Sequence, residues 1–433
     1  MIDCASIYLP HFMRNAGRCS YFGETLHAAY SRAVLFLLMR ILISGAGIAG
    51  PTLAYWLNRY GMQPTLVEKA PRLRSGGYMI DFWGAGFEIA DRMELLPRIK
   101  PKGYIIKELR VVNRRGKRIS GFPVDVFNRV TAGRFISLPR GDLAASIYEL
   151  LEGKVETICG DSVVRIEQTK QGVHVVFESG AEGDFDLVVG AGGLHSRIRE
   201  LVFGPQSRFE KYLGCKVAAF EVAGYQPRDE LVYVLYTEVG QQVVRFTMRG
   251  DRTLFLFTFA DDAVAGPNDL PSQKTLLRKR FGNSGWECPR ILDALDAADD
   301  LYFDRVSQIR MEEQQGLWSC GRVTLVGDAA SCVSLLAGQG TALAMVAAYI
   351  LAGELKRANG NYAEAFARYQ SLFAPFVRAK QEAALRLASF FAPRSSFSLF
   401  LRNQVMKLLG VSWIGDRTAV RDLADRIALP DYS

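Results

Sequence analysis

The sequence predicts an α/β fold: a parallel sheet wrapped by helices, an inserted mixed β-sheet domain, and a C-terminal helical segment. Three observations carry this. Residues 41–44 and 64–67 are short apolar runs on either side of a helical stretch, as buried parallel strands read. Residues 322–326 repeat the strand-then-glycine pattern near the far end, ahead of the long apolar stretch 341–355. Between these ends, residues 212–260 are rich in Val, Phe, Tyr and Thr, and part of this stretch alternates with period two.

The chain is long enough, at 433 residues, for two or three domains with real cores. A net charge of +8 suits an anionic cofactor, but no basic run is interleaved with aromatics, so nucleic acid is not an expected partner. Seven cysteines form no C-x-x-C pair, which points to a reducing, cytoplasmic setting without a disulfide scaffold or metal site. Residues 33–39 are apolar but too short for a membrane span, and within 329–353 only about twelve residues from Ala342 onward are purely apolar. A buried helix is expected there, with no stable membrane insertion. Residues 1–38 show no clean period, while Met39 opens directly onto a strand; they read as a non-core extension.

The first strand ends in Gly45-Ala46-Gly47-Ile48-Ala49-Gly50. Gly45 permits the tight turn, Gly47 lets backbone approach a pyrophosphate, and Gly50 lets the next helix pack on the strand. That helix offers free N–H groups and its positive dipole end to phosphate. The second strand ends at Glu68, with Lys69 beside it, where an acid accepts hydrogen bonds from a ribose. This is a Rossmann-like dinucleotide signature, and alone it does not separate NAD from FAD. The second signature is Gly327-Asp328-Ala329-Ala330 followed by Gly338-Gln339-Gly340. A strand-end Asp328 suits a ribityl hydroxyl, and the helix opening at the glycine pair aims N–H groups at negative charge on a reduced flavin.

With residues 138–143 (LPRGDL) and 186–199 (DLVVGAGGLHSRIR) lying in order between them, these segments resemble the flavoprotein aromatic hydroxylases, the group of para-hydroxybenzoate hydroxylase and the tetracycline-inactivating monooxygenases. The resemblance runs from about Met39 to the C-terminus and implies FAD. It implies that Gly45, Gly47, Ile48, Ala49 and Gly50 hold the pyrophosphate and Glu68 the adenosine ribose. Arg74 sits where such relatives meet NADPH, Asp81 on the flavin side, and Arg140 reaches FAD from the next element. Asp328 would hold the ribityl chain, and Gly338, Gln339 and Gly340 would line the ring. Two departures stand out: Gly192 replaces the family's usual acid, and Ser331, Ser334 and Leu335 stand where a histidine and prolines are usual. The loop beside the flavin should therefore differ in shape, which bears on the substrate more than on the cofactor.

The expected layout is an FAD-binding domain in three parts (39–105, 137–210, 316–360), a substrate domain in two (106–136, 211–315), and C-terminal helices (361–433). Phe246, Met248, Phe255 and Phe257, on an expected hairpin, are candidates for the substrate wall. Residues 397–409, apolar and basic, read as part of a helical lid over the substrate mouth rather than a membrane foot. The implied reaction is hydroxylation of an aromatic or polyketide-like small molecule with NADPH or NADH and O₂, through a flavin C4a-hydroperoxide. No catalytic base is identified. A reductase or dehydrogenase without oxygen insertion, or a silent FAD-binding protein, are the alternatives on the same scaffold.

Overall fold

The structure, a computed structural model, describes residues 39–72, 78–124, 131–314, 316–335, 338–391, 393–409 and 427–432. Arg74 and the extension 1–38 lie outside the described residues. The first strand, β1 (Arg40–Ser44), has Ile41, Leu42 and Ile43 fully buried, as a strand covered on both faces requires. Helix α1 (Ala49–Arg59) returns the chain to β2 (Gln63–Glu68), which pairs parallel to β1. The turn between them needs glycine: Gly45 has φ +115°, and a Cβ there would stand 2.6 Å from the Ala191 carbonyl oxygen. A Cβ at Gly50 would stand 2.0 Å from the Gly45 carbonyl oxygen, so the helix packs only because none exists.

Next come β3 (Met79–Trp83), α2 (Ala85–Arg92), the short α3 (Leu96–Ile99), and a hairpin of β4 (Glu108–Val112) and β5 (Arg118–Pro123). Strand β6 (Phe135–Pro139) pairs antiparallel with β3 and leads into α4 (Arg140–Glu149) and β7 (Glu156–Cys159). A three-stranded antiparallel meander then carries the chain onward: β8 (Val163–Gln168), β9 (Val173–Phe177) and β10 (Glu182–Phe185). It delivers β11 (Leu187–Gly190) to the other side of β1, so strands replace a helix in this crossover. After α5 (Arg197–Phe203) the second large sheet forms from β12 (Glu210–Ala223), β13 (Val232–Glu238), β14 (Gln241–Thr247) and β15 (Arg252–Ala260). Helices α6 (Leu270–Phe281) and α7 (Cys288–Asp296) precede its last strand, β16 (Tyr302–Ile309).

The chain re-enters the first sheet through α8 (Met311–Gln314), β17 (Ser319–Cys320) and β18 (Val323–Leu325). Then follow α9 (Asp328–Ser331), α10 (Gly340–Arg357), α11 (Tyr362–Phe391) and α12 (Ser396–Leu409). The first sheet has the order β17-β18-β11-β1-β2-β7, parallel except for β17. The second has the order β16-β12-β15-β14-β13-β4-β5. Fully apolar α10 segments pack against α1 and bury Ala347, Ile350 and Leu351 completely, the fate of a core helix. No helix among the described residues is long and apolar enough to cross a membrane.

The expected hairpin is β14–β15, with Phe246 opposite Leu254 and Arg245 opposite Phe255. Both faces of this sheet are covered. Phe255, Phe257 and Phe259 point to one side and pack with Leu277, Phe281 and Ile291 of α6 and α7. Val244, Phe246, Leu254 and Leu256 point to the other, where a cavity lies. The final described residues form a strap: Tyr432 fills the space above Gly353, and its hydroxyl donates to buried Glu354 Oε1 at 2.5 Å.

Candidate functional site

A cavity of about 520 Å³ is lined by the first glycine turn, the second signature and the Val244–Leu256 face of the second sheet together. Its first wall is the β1–α1 turn: Gly45, Ala46, Gly47, Ile48 and Ala49. No side chain caps α1, so its first N–H groups are free for an anion. Glu68, at the end of β2, accepts the Ala46 N–H at 2.8 Å and the Ala70 N–H at 3.0 Å. Two oxygens with lone pairs to spare are thereby fixed at the cavity edge, positioned for further donors.

Arg140 opens α4 directly after β6. One of its terminal nitrogens lies 3.4 Å from where a Cβ on Gly47 would stand, so the guanidinium shoulders the glycine turn. Across from it, Asp328 begins α9, with both oxygens 3.7–3.8 Å from where a Cβ on Gly340 would be. Burial raises the Asp328 pKa, while the charge of Arg140 and the Cys332 thiol work in the opposite direction. Asp81, on β3, opens onto the cavity, where its side chain is exposed; enclosure by the surrounding protein raises its pKa and the Ser137 hydroxyl, donating at 2.5 Å, partly offsets this. Both carboxyls line the cavity and can accept hydrogen bonds from hydroxyl donors there.

The segment after β11 supplies Ala191, Gly192, Gly193 and Leu194 to the wall. Arg199 stands behind it, fully buried, donating to Leu194 O at 2.6 Å and Ala329 O at 3.1 Å. Burial depresses its pKa to about 10, so it stays charged at neutral pH and ties the third segment to the second signature. His195 leaves the same turn toward the second sheet. Its Nε2 lies 3.2 Å from both Asp304 oxygens and its Nδ1 3.1 Å from Gln206 Oε1. Both nitrogens face acceptors, so the doubly protonated ring fits, and hydrogen bonding to Asp304 raises the histidine pKa.

The remaining wall is apolar and aromatic: Leu109, Tyr233, Leu235, Val244, Phe246, Leu254 and Leu256, with Tyr78 and Tyr302 at the junction. The Tyr78 and Tyr302 rings lie 5.4 Å apart. Burial pushes Tyr78 up to about 12 and Tyr302 well above its ordinary value, so both keep their protons and can donate.

Of the residues singled out from sequence, Gly45, Gly47, Ile48, Ala49, Glu68, Asp81, Arg140, Asp328, Gly338, Gly340 and Phe246 meet on this cavity. Others do not line it. Gly50 sits behind the turn, Lys69 is exposed, and Gln339 is buried just before α10. Met248 packs under Phe246 in a cluster with Tyr104 and Leu254. Phe255 and Phe257 are on the wrong face of β15 for the wall, because alternation sends Leu254 and Leu256 to the cavity instead. Of residues 397–409, expected as part of a lid over the substrate mouth, Phe397 and Phe400 are exposed and absent from the lining. Sequence reasoning missed Tyr78, Tyr233, Tyr302 and Asp304. The only available signal was their place on or beside strands whose alternate side chains face one side, which many core residues share.

A family profile described as "FAD binding domain" matches residues 39–366. The chain is similar to a flavin-dependent monooxygenase from an unknown prokaryotic organism, 35% identical over 406 residues, covering 91% of this chain and 99% of the relative. It is similar to a flavin-dependent monooxygenase of Legionella longbeachae serogroup 1 (strain NSW150), 33% identical, with 91% and 98% covered. Among solved structures it resembles tetracycline destructase Tet(51), with a TM-score of 0.78, 32% identity, and 91% and 100% of the two chains covered.

Proposed function

We propose that this chain, which belongs to the FAD-binding-domain family of flavin-dependent monooxygenases, hydroxylates an aromatic or polyketide-like small molecule with electrons from NAD(P)H and oxygen from O₂. It is an FAD-dependent oxidoreductase by family. The substrate reading rests on one observation: the cavity that holds the cofactor residues is closed on its last side by a wide apolar and aromatic wall. Such a wall takes a flat, largely apolar molecule and excludes water. The relative named tetracycline destructase supports a polycyclic substrate of that kind.

The residues present fit FAD. The glycine turn has room for phosphate only because it lacks side chains, and the uncapped α1 terminus meets negative charge there. Glu68 would hold ribose hydroxyls and Asp328 ribityl hydroxyls, and Arg140, whose charge already acts on Asp328, would offset negative charge of the cofactor. FAD, when bound, supplies the hydride acceptance and oxygen transfer. Tyr78 and Tyr302, held protonated, donate hydrogen bonds to oxygens of a substrate on the wall. Gly338 and Gly340, which line the cavity, would offer backbone to the flavin, and no general base is assigned. We assign Arg74, outside the described residues, to the reductant's phosphate. The same reading places the enzyme in the cytoplasm, where its cysteines stay reduced.

The test is a panel of phenolic, polyketide and quinone-like compounds screened for stimulated NAD(P)H oxidation under isotopically heavy oxygen. A product one labelled oxygen heavier supports the reading. Stimulated oxidation without incorporation at any substrate would replace it with a reductase, and an FAD that NAD(P)H cannot reduce would replace it with a silent binding protein.

A further inference from the structure

The apolar wall of the cavity ends in one amide. Strands β13, β14 and β15 lay three cross-strand rows on the face that lines it. Tyr233, Phe246 and Leu254 form the first row, and Leu235, Val244 and Leu256 the second. The third is polar: Thr237, Gln242 and Thr258. Gln242 and Thr258 are both buried, and both line the cavity. From the first row to the third is four residues of strand, roughly 13 Å, the span of a fused polycyclic skeleton.

The neighbours of Gln242 decide which way its amide points. Arg402 of α12, 4% exposed, donates from Nη1 to Gln242 Oε1 at 3.1 Å and to Thr237 Oγ1 at 3.0 Å. The Thr237 hydroxyl donates its own hydrogen to the same Oε1 at 3.0 Å. Arginine has no acceptor, so turning the amide over would set N–H against N–H. Oε1 therefore faces Arg402, and Nε2 is sent the other way. Among the described residues no group accepts from Nε2, and this nitrogen is not walled off from the cavity that Gln242 lines.

Burial lowers the Arg402 pKa to about 10, which leaves it charged at neutral pH. That charge polarises the amide and strengthens Nε2 as a donor. Met406, one turn along α12, packs on Val111, Phe122 and Leu235, and Ser120 Oγ donates to Asn403 O at 2.8 Å. The helix that carries Arg402 is thereby fixed to the sheet. Arg402 does not itself line the cavity; it acts through Gln242.

We propose that Gln242 is a specificity-determining residue: its Nε2 donates to a carbonyl oxygen of the substrate, and Arg402 is the positioning residue that points it there. The inference rests on the reading of this cavity as a substrate site and adds one chemical requirement to it. A skeleton that covers the apolar rows but ends in carbon leaves the Nε2 hydrogens without an acceptor and binds more weakly. The fitting substrate is a flat polycyclic ketone.

The test is equilibrium dialysis of FAD-loaded protein against xanthone and xanthene, tricyclic compounds that differ by one ring carbonyl. Wild type should hold xanthone about tenfold more tightly. Gln242→Glu keeps an oxygen for Arg402 and Thr237 but offers the cavity a second acceptor, so it should reverse the order. Arg402→Met frees the amide to turn and should bring the two affinities together, while Arg402→Lys, which retains a donor to Oε1, should keep the preference. Each comparison is a ratio within one variant, so partial loss of folded protein cancels. Wild type that holds the two compounds equally, or holds neither, overturns the proposal, as does a Gln242→Glu variant that keeps the wild-type preference. An unchanged preference in Arg402→Met overturns the role of Arg402. The hydroxylase reading fails separately, by the lack of labelled oxygen in any product, which this binding ratio does not measure.

Discussion

His195 and Asp304 join the two large sheets across the cavity rim: the histidine leaves the turn after β11, the aspartate lies on β16, and Nε2 is 3.2 Å from either carboxylate oxygen. The histidine pKa is raised by this partner, so the folded state holds the proton more tightly than the unfolded chain. The pair's stabilisation is therefore complete below the ordinary histidine value and is lost as pH rises through the raised one. A His195→Gln variant should melt below wild type near about pH 6, with the gap closing at more alkaline pH. The side chain is half exposed, which keeps the effect small; melting curves across pH, with a gap that widens toward high pH, would refute the pairing.

Asp328→Ala should purify nearly colourless. The variant removes the carboxyl that faces Gly340 and the cavity, while Ala329 and Ala330 remain packed. Absorbance of bound flavin against protein reads the result, and full occupancy would remove Asp328 from the proposed cofactor contacts.

Gly45→Ala tests the first turn. Its positive φ and the 2.6 Å approach to Ala191 O both oppose a side chain. A strain of about 1–3 kcal/mol is expected from the backbone conformation alone, with loss of flavin at the same time. Chemical denaturation of the apo and FAD-loaded forms separates the two effects.

Leu256 and Phe257 are sequence neighbours with opposite fates. Phe257→Ala should cost about 3–5 kcal/mol, because the ring is wholly buried against Phe281 and Phe220. Leu256→Ala, on the cavity wall, should cost far less stability and instead change KM for the substrate. Equal destabilisation by both would contradict the assignment of faces.

Tyr432→Phe removes the hydroxyl that donates to Glu354, a carboxylate with no solvent contact, and keeps the ring over Gly353. Leaving that oxygen short of a donor is expected to cost about 1–3 kcal/mol, measured by denaturant unfolding. Arg357, 2.9 Å from the same oxygen, sets the lower part of that range.

The glycine-turn half of the cavity was legible because its constraints are local. Gly45 and Gly50 announce backbone that admits no Cβ, Glu68 ends β2, and Asp328, expected at a strand end, opens the short α9 three residues beyond β18. The substrate half was not. Strands β14 and β15 are covered on both faces, so apolar residues fill both sides and alternation no longer marks which faces a cavity. Phe255 and Phe257 are as hydrophobic as Leu254 and Leu256, and only the placement of α6 and α7 assigns the former to core.

By itself, then, the sequence determined the dinucleotide turn, the acid that ends β2 and the family, since each depends on a few neighbouring residues and their φ values. Tertiary structure alone decided which sheet face became the wall, that His195 would find Asp304 far along the chain, and that α12 would turn Arg402 inward and Phe397 outward. Those outcomes depend on what packs against an element from elsewhere in the chain, and side-chain periodicity within one segment carries no information about its distant neighbour.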